Sequence, residues 1–565
     1  MPIHTTTRTL EKSSESNTDK ELLPRSTLTW GMTFSYIAVA VFAFFFCWIC
    51  GQRGLFSSDQ SIVFDGGYRL LTGQVPFKDF VSPIGPIPFL AQAAFFWIFG
   101  VSFSSYLLHS CTANAVAALC AISVIRTLFP GRTYLAISSG VLTAVWFYPS
   151  FGTPYLEHTA FFLGFFALAL IVYVLVSTST GQLARNLIIL ACGILSALAI
   201  LSKQNAGVLI AAACFGLIFA SCCWKEASRR DWSLVGTFAI GLFTTLATFV
   251  LWVHRYSDLS LFNHYFLEVP FELGLSRAQS LTVGLKRMLI PYEHPMLRIA
   301  LYGSAVIWIC VAAAFLMQYN LQKTPRSKIA FTLLLLLLTV QSLMIPTMNN
   351  AVIYMVPFTG IIVALSFGLA QEFLLPLVRI KPLVISVVFL CMGFGLTFVG
   401  CDLSWNRRDL LFSTSIFRSL PIQGLSTLKW GEPTTIRTWQ LTGNEVVDLV
   451  SHLTAQGKPF FVFPDFTMLY GIVGKPNPQP ICWFHPGVTY SAKGEPLLDR
   501  WIASDLKRNG VEVIVLEKCA WLGLDMLDQF PLTKNLIQEH FRLVRSIGPW
   551  EVLHRHSQEQ VGPEK

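Results

Sequence analysis

Charge is what this sequence has least of. Asp, Glu, Lys and Arg make up 13% of its 565 residues, against 53% hydrophobic residues, whereas soluble domains carry nearer a quarter charged. That shortage excludes a soluble chain and makes lipid the main solvent. The net charge of +9 would suit nucleic acid, but Lys and Arg occur as short clusters between apolar runs and form no basic stripe. The sequence also lacks a P-loop, an HExxH, and any GxGxxG or GxSxG in a strand-to-helix setting, so nucleotide, hydrolase-triad and zincin chemistry have no signature. Internal repeats are missing, which removes support for an inverted-repeat transporter. There is no signal-peptide cleavage site either. The apolar run from Leu28 to Cys50 is too long for a signal core and reads as an uncleaved first span. The thirteen cysteines are scattered, and most, such as Cys47, Cys111, Cys192 and Cys391, read as small buried hydrophobes. Cys482 and Cys519 lie in the polar C-terminal part, where a disulfide is open to them.

Spanning-length apolar runs follow at Tyr106 to Ile125, Tyr134 to Phe147, Thr159 to Leu175, Leu187 to Leu201, Ala206 to Cys222, Leu234 to Val253, Ile299 to Met317, Ile329 to Ile345, Ala351 to Ala370 and Leu383 to Gly400. With the first, they predict about eleven transmembrane helices. The run Ile87 to Phe99 is too short to cross and reads as an interfacial or re-entrant helix. If it does not cross, one set of short loops holds Arg126 and Arg132, Arg185, Lys225, Arg229 and Arg230, Lys323, Arg326 and Lys328, and Arg379 and Lys381. The same parity places them with the N-terminal tail, and the positive-inside rule makes that side cytoplasmic.

The expected organisation is a cytoplasmic tail (residues 1–27), a transmembrane domain (28–401) with outer loops at 51–100 and 255–298, and a small extracytoplasmic α/β domain (402–565). In the last, a helix is expected at Asn444 to Gln456, a strand at Pro459 to Phe463, a helix near Leu498 to Asn509 and a strand at Val511 to Leu516.

The first outer loop places Asp59 after two serines and ahead of a helix-like pattern that ends near Leu71, read as a helix lying on the membrane. Ser58 or Asp59 could simply cap that helix. Glu157, followed by His158, stands where an outer turn enters a span; a carboxylate at bilayer depth costs about 2.5–3.5 kcal/mol, so it is normally paired or faces water. Lys203 lies in an outward turn, where it could hold an anionic head group or snorkel to lipid. His254, His264, Glu268, Glu272 and His294 show no metal-ligand spacing. Asp402, Asp409 and Asp465 read as solvated surface.

In order along the chain come Asp59, the Tyr68 to Leu71 helix, Gly73, Pro76-Phe77, Asp79-Phe80, Gly85-Pro86, FWIFG ending at Gly100, Glu157 and Lys203. This order resembles the GT-C superfamily of membrane glycosyltransferases, in particular the polyprenyl-phosphate-sugar-dependent branch that is similar to ArnT, the protein O-mannosyltransferases and glycosyltransferase family 39. The resemblance implies a GT-C-like fold of about eleven spans with outer-face amphipathic helices. It also implies an inverting transfer of a hexosyl or pentosyl unit from a polyprenyl-phosphate donor to a lipid, glycan or protein acceptor at the cell envelope. Asp59 would be the base, Glu157 would orient the acceptor or a divalent ion, and Lys203 would neutralise the leaving phosphate, with Asp79, His158 and Arg69 binding substrate. Asp59-Gln60 departs from the two consecutive acids of many members. Because that family holds both metal-requiring and metal-independent enzymes, no cofactor is fixed, and Asp59 and Glu157 are the candidate ligands if a divalent ion takes part. The implied site is an inner membrane, with the N-terminus cytoplasmic. A transporter, or a silent lipid-binding scaffold of the same fold, are the competing readings.

Overall fold

The structure is a computed structural model that describes residues 30–56, 59–177, 179–224, 231–279, 294–317, 324–347, 356–378, 381–406, 412–433, 442–491, 494–517 and 526–556. Every expected span is a helix. They are α1 (Trp30–Gly51), α4 (Phe103–Leu128), α5 (Thr133–Trp146), α6 (Leu156–Val176), α7 (Gln182–Ile200), α8 (Gln204–Cys223), α9 (Ser233–Tyr256), α12 (Pro295–Met317), α13 (Pro325–Thr347), α14 (Thr359–Leu369) and α16 (Pro382–Asn406). Among the described residues, nine helices are long and apolar enough to cross a membrane, while α5 and the helix at Thr359–Leu374 are shorter. The start of the expected Ala351 span and the tail at 1–27 lie outside the described residues.

One end of the bundle holds Arg126 and Arg132. Arg126 donates to Tyr36 Oη at 3.1 Å near the start of α1, and Arg132 donates to the Gly368 carbonyl at 2.6 Å and lies 3.9 Å from Glu372. The first loop, the Ser202-Lys203 turn and the C-terminal domain lie at the other end. We call this the loop face.

Two short helices follow α1, namely α2 (Ile62–Leu71) and α3 (Ile87–Phe99). The expectation of a membrane-lying α2 is overturned: Ile62 through Arg69 are all buried. Gly66 and Gly67 let α3 pack directly on it, since a Cβ at Gly66 would sit 2.2 Å from the Phe89 ring and one at Gly67 2.8 Å from Gln92. The helix left exposed is α3, with Trp97 79% accessible beside exposed Ile98 and Phe99, as befits an interfacial helix.

After α9 come α10 (Leu259–Phe262), a π-helical turn (Asn263–Glu268) and α11 (Val269–Gln279), and after α14 the short α15 (Leu375–Val378). The C-terminal part contains a β1–β2 hairpin (Phe412–Ser419, Lys429–Pro433), α17 (Gly443–Gln456), β3 (Phe460–Phe463), α18 (Leu469–Val473), α19 (Pro496–Arg508), β4 (Val513–Glu517), α20 (Pro531–His540), β5 (Phe541–Ile547) and β6 (Trp550–Arg555). Its main sheet has the order β3-β4-β6-β5, parallel only between β3 and β4. Thr442 and Glu445 form a capping box at the start of α17.

One sequence reading of a cysteine needs correcting. Cys391 is exposed on the bundle surface rather than buried, which a weakly polar thiol tolerates against lipid. Cys47 and Cys50 stand at C-x-x-C spacing but are buried free thiols within α1. Cys482 is also a buried free thiol, while Cys519 lies outside the described residues.

Candidate active site on the loop face

Three pieces of backbone converge where the outer loops meet: the turn before α2, the turn that leads into α6, and the turn between α7 and α8. Gln60 ties the first to the second. Its side chain is fully buried, accepting from Phe56 N at 2.7 Å and donating to the Phe151 carbonyl at 3.1 Å and to Thr153 Oγ1 at 2.8 Å. Tyr106 shares its hydroxyl proton between the carbonyls of Gln60 and Pro154, at 2.7 and 3.1 Å. Asp59, half-buried, sits in this stapled turn. It does not serve as the α2 cap, because the residue at that position is Ser61, whose side chain makes no capping bond; Ser58 lies outside the described residues.

The second turn ends on Glu157 in the first turn of α6, 3% exposed. Lys203, the N-cap residue of α8, brings its Nζ to 3.7 Å from Glu157 Oε1. The sequence left both without a named partner; the fold makes them partners, and the lysine stays accessible enough to meet a ligand, with its side chain 23% exposed. His158 is buried inside an aromatic cage, with ring centroids 4.9 Å from Tyr148, 6.0 Å from Tyr155 and 6.1 Å from Phe151.

The third turn is held against the first loop by backbone contact. Gly85 passes so close to Leu201 that a Cβ there would lie 1.7 Å from the Leu201 carbonyl oxygen. Gln204 then donates to the Pro83 carbonyl at 3.0 Å and to the Phe266 carbonyl at 2.6 Å, which joins the 259–268 segment to the same cluster. Phe77, at φ 60°, plugs between Phe262 and Phe266 with centroids 5.2 and 6.3 Å away.

The remaining candidates are placed elsewhere. Asp79 Oδ2 accepts from Val75 N at 2.7 Å and closes its own turn. Arg69 is fully buried; it donates to Asp65 at 2.8 Å, to Gln74 at 3.0 Å and to the Gln479 carbonyl at 2.8 Å. Asp65, which the sequence reading passed over, also accepts both bonds of the Asn477 amide, at 2.8 and 2.9 Å. Burial holds the Asp65 carboxyl above its ordinary range, against the opposing pull of Arg69 and Asn477. Together with Val81 N donating to the Pro480 carbonyl at 2.8 Å, this latch docks the C-terminal domain onto the first loop. Val81 and Tyr265 complete the dock from the membrane domain by joining that domain's hydrophobic core.

Glu495 marks a second seam. It accepts from His264 Nε2 at 3.1 Å and from Tyr265 Oη at 2.5 Å, while His264 Nδ1 faces Glu268 at 2.9 Å. Asp465, expected at the surface, is buried, 2% exposed, in the segment that follows β3 under the Tyr490 side of the domain. Asp402 is exposed as expected, and Asp409 lies outside the described residues.

Among the described residues, no three His, Cys, Asp or Glu side chains come together in a group that could hold a metal ion. Glu157 already faces an ammonium, which competes with any cation for that carboxylate.

No protein-family model and no curated protein matches this sequence. Solved structures do. ArnT from Cupriavidus metallidurans, bound to undecaprenyl phosphate, superposes with a TM-score of 0.52 over 94% of this chain and 99% of that one, at 14% identity. The apo oligosaccharyltransferase from Archaeoglobus fulgidus gives 0.51 over 94% of this chain and 76% of that one, at 11% identity. This chain has the GT-C fold. The expected fold class, a multi-pass helical bundle with a small C-terminal mixed domain, stands.

Proposed function

We propose that this chain is an inverting glycosyltransferase that moves a sugar from a polyprenyl-phosphate donor to a lipid, glycan or protein acceptor on the outer face of the membrane. What supports the reading is the Lys203–Glu157 pair together with the Gln60 staple, which ties the turn of Asp59 to the turn before Glu157 on the loop face of a GT-C fold. The bound undecaprenyl phosphate of the ArnT structure supports the donor class. The basic groups at the opposite end support a cytoplasmic N-terminus, with the site and the C-terminal domain outside.

In this mechanism the acceptor O–H gives its proton to the Asp59 carboxylate as its oxygen attacks the anomeric carbon. The bond from that carbon to the phosphate oxygen breaks on the opposite side, so the configuration inverts. The electron pair leaves with the polyprenyl phosphate, and the Lys203 ammonium compensates the growing charge. Glu157 holds Lys203 in place and stays unchanged through the step. Arg69 is withdrawn from substrate by its buried bonds and supports the loop instead. The 259–268 segment and the C-terminal domain line the acceptor side.

The test is transfer of labelled sugar from a panel of polyprenyl-phosphate donors by protein in nanodiscs. Wild type should transfer and Asp59→Asn should lose about 10²–10⁴-fold in kcat with donor binding retained. Folded wild type that neither transfers from nor hydrolyses any donor overturns the reading in favour of a scaffold or transporter.

A further inference from the structure

Gln60 stands next to the proposed base, at the place where an acid would put another negative charge. Every polar atom of its side chain is committed to the protein. Oε1 accepts from Phe56 N, and Nε2 donates to Phe151 O and Thr153 Oγ1. Its backbone is held as firmly: Gln60 N donates to the Phe56 carbonyl at 3.1 Å, and its own carbonyl accepts from Tyr106. Phe56 and Gln60 are thus joined twice, and Asp59 immediately precedes Gln60.

The other end of the staple is as well defined. Phe151 and Thr153 belong to the turn that becomes α6 at Leu156, one residue before Glu157. The ring of Phe151 stacks on Tyr155 at 3.9 Å between centroids, and the turn's Gly152 carbonyl accepts from Ser110 Oγ at 3.1 Å on α4. A displacement of the Gln60 amide is therefore not absorbed locally; it changes the spacing between Asp59 and the Glu157–Lys203 pair.

We infer that Gln60 is a positioning residue, whose neutral amide sets the distance between the Asp59 carboxylate and the Glu157–Lys203 pair by splicing the first outer loop to the turn before α6. The amide cannot be replaced by the acid of equal size. A carboxylate cannot donate to Phe151 O or Thr153 Oγ1, and it would bury a second negative charge beside Asp59. Buried charge without a counter-charge is strongly disfavoured, and a like charge next to a carboxylate disfavours its ionised form. A misplacement of about 1 Å in a reacting group costs on the order of 10²-fold in rate.

This inference rests on the transferase reading, so the experiment has one arm that does not. In the first arm, steady-state transfer is measured for wild type, Gln60→Ala, Gln60→Glu, Thr153→Val and the double variant Gln60→Ala/Thr153→Val. The expected result is a fall in kcat of about 10²-fold for Gln60→Ala, with donor KM within about twofold and no further loss in the double variant. For Gln60→Glu the acidic limb of the kcat/KM profile should move to higher pH. A merely structural residue would lower thermal stability and active fraction without moving that limb. In the second arm, hydrogen exchange is followed in peptides covering 54–62 and 148–157. Gln60→Ala should speed exchange in both windows together and leave the C-terminal sheet unchanged. Wild type that transfers, with Gln60→Ala at full kcat or with an unmoved pH limb in Gln60→Glu, overturns the inference alone. Exchange that rises in one window only also overturns it. Wild type that transfers from no donor overturns the functional reading, and the exchange arm still decides whether Gln60 splices the two loops.

Discussion

The ammonium of Lys203 lies 3.7 Å from Oε1 of Glu157, one at the start of α8 and the other at the start of α6. Both stand at the ends of apolar helices, and the ammonium lowers the cost of burying the Glu157 carboxylate. The carboxylate is the buried partner and the ammonium the accessible one, which leaves a positive charge presented to ligand and a negative one behind it.

Replacing Lys203 by Met removes the presented charge. We expect kcat to fall about 10²–10³-fold, and Lys203→Arg to retain part of the rate. Thermal unfolding should separate the two effects. Lys203→Met destabilises because the Glu157 carboxylate loses its ammonium, and adding Glu157→Gln restores stability without restoring turnover.

Gly85→Ala tests the third turn. The new methyl would meet the Leu201 main chain, with the carbonyl carbon only 2.6 Å away, and backbone cannot rotate aside as a side chain can. The first loop should lift from the α7–α8 turn, with a loss of about 10²-fold in kcat and an unchanged helical signal by circular dichroism.

Arg69→Met leaves Asp65 buried beside Asn477 without its guanidinium. Breaking a buried ion pair from one side costs about 3–5 kcal/mol, which should appear as early release of the C-terminal domain in limited proteolysis at rising denaturant. Asp65→Asn, which keeps a polar group of the same shape, should be the milder variant.

Asp505 on α19 gives a pH signature. Burial pushes its carboxyl up to about 6, against the pull of Arg508 and Arg69 and with Asp79 adding to the rise. A carboxyl raised in the folded state binds its proton there more tightly than in the unfolded chain, so its contribution to stability declines as pH rises from about 4 through 6. Asp505→Asn should flatten that decline. The melting temperature of the variant should exceed wild type above pH ~6 and converge with it below ~4.

What the sequence made legible follows what it had to say about solvent. Apolar runs between polar clusters admit only one solution in lipid, so helices from Trp30 to Asn406 could be read directly. The amphipathic pattern of Ile62 to Leu71 was also correct, but amphipathicity fixes which face is apolar and not what covers the polar one. The cover is the Asn477–Gln479 segment, which no local pattern connects to it. Asp65 and Arg69, four apart, carried the signal of a helical ion pair; that the pair is internal could not be seen, because its cover comes from the far end of the chain. Strand β5 was hidden because five of its seven residues are exposed and break the alternation. Gln60 was visible only as a departure from a pattern, since the bonds that give it a role come from a turn some ninety residues further on.

The Asp65–Asn477 bond closes over 412 residues. At about 5–20 residues per second of synthesis, the ribosome needs roughly 20–80 s to bring the second partner out after the first. During that interval the Asp65–Arg69 pair has neither the Asn477 amide nor the Gln479 carbonyl to cover it, so the polar face of α2 stays hydrated. Docking of the C-terminal domain therefore comes late in synthesis, and a chain interrupted anywhere before Asn477 has the Gln60 and Lys203 contacts within its reach but not the cover over Asp65 and Arg69.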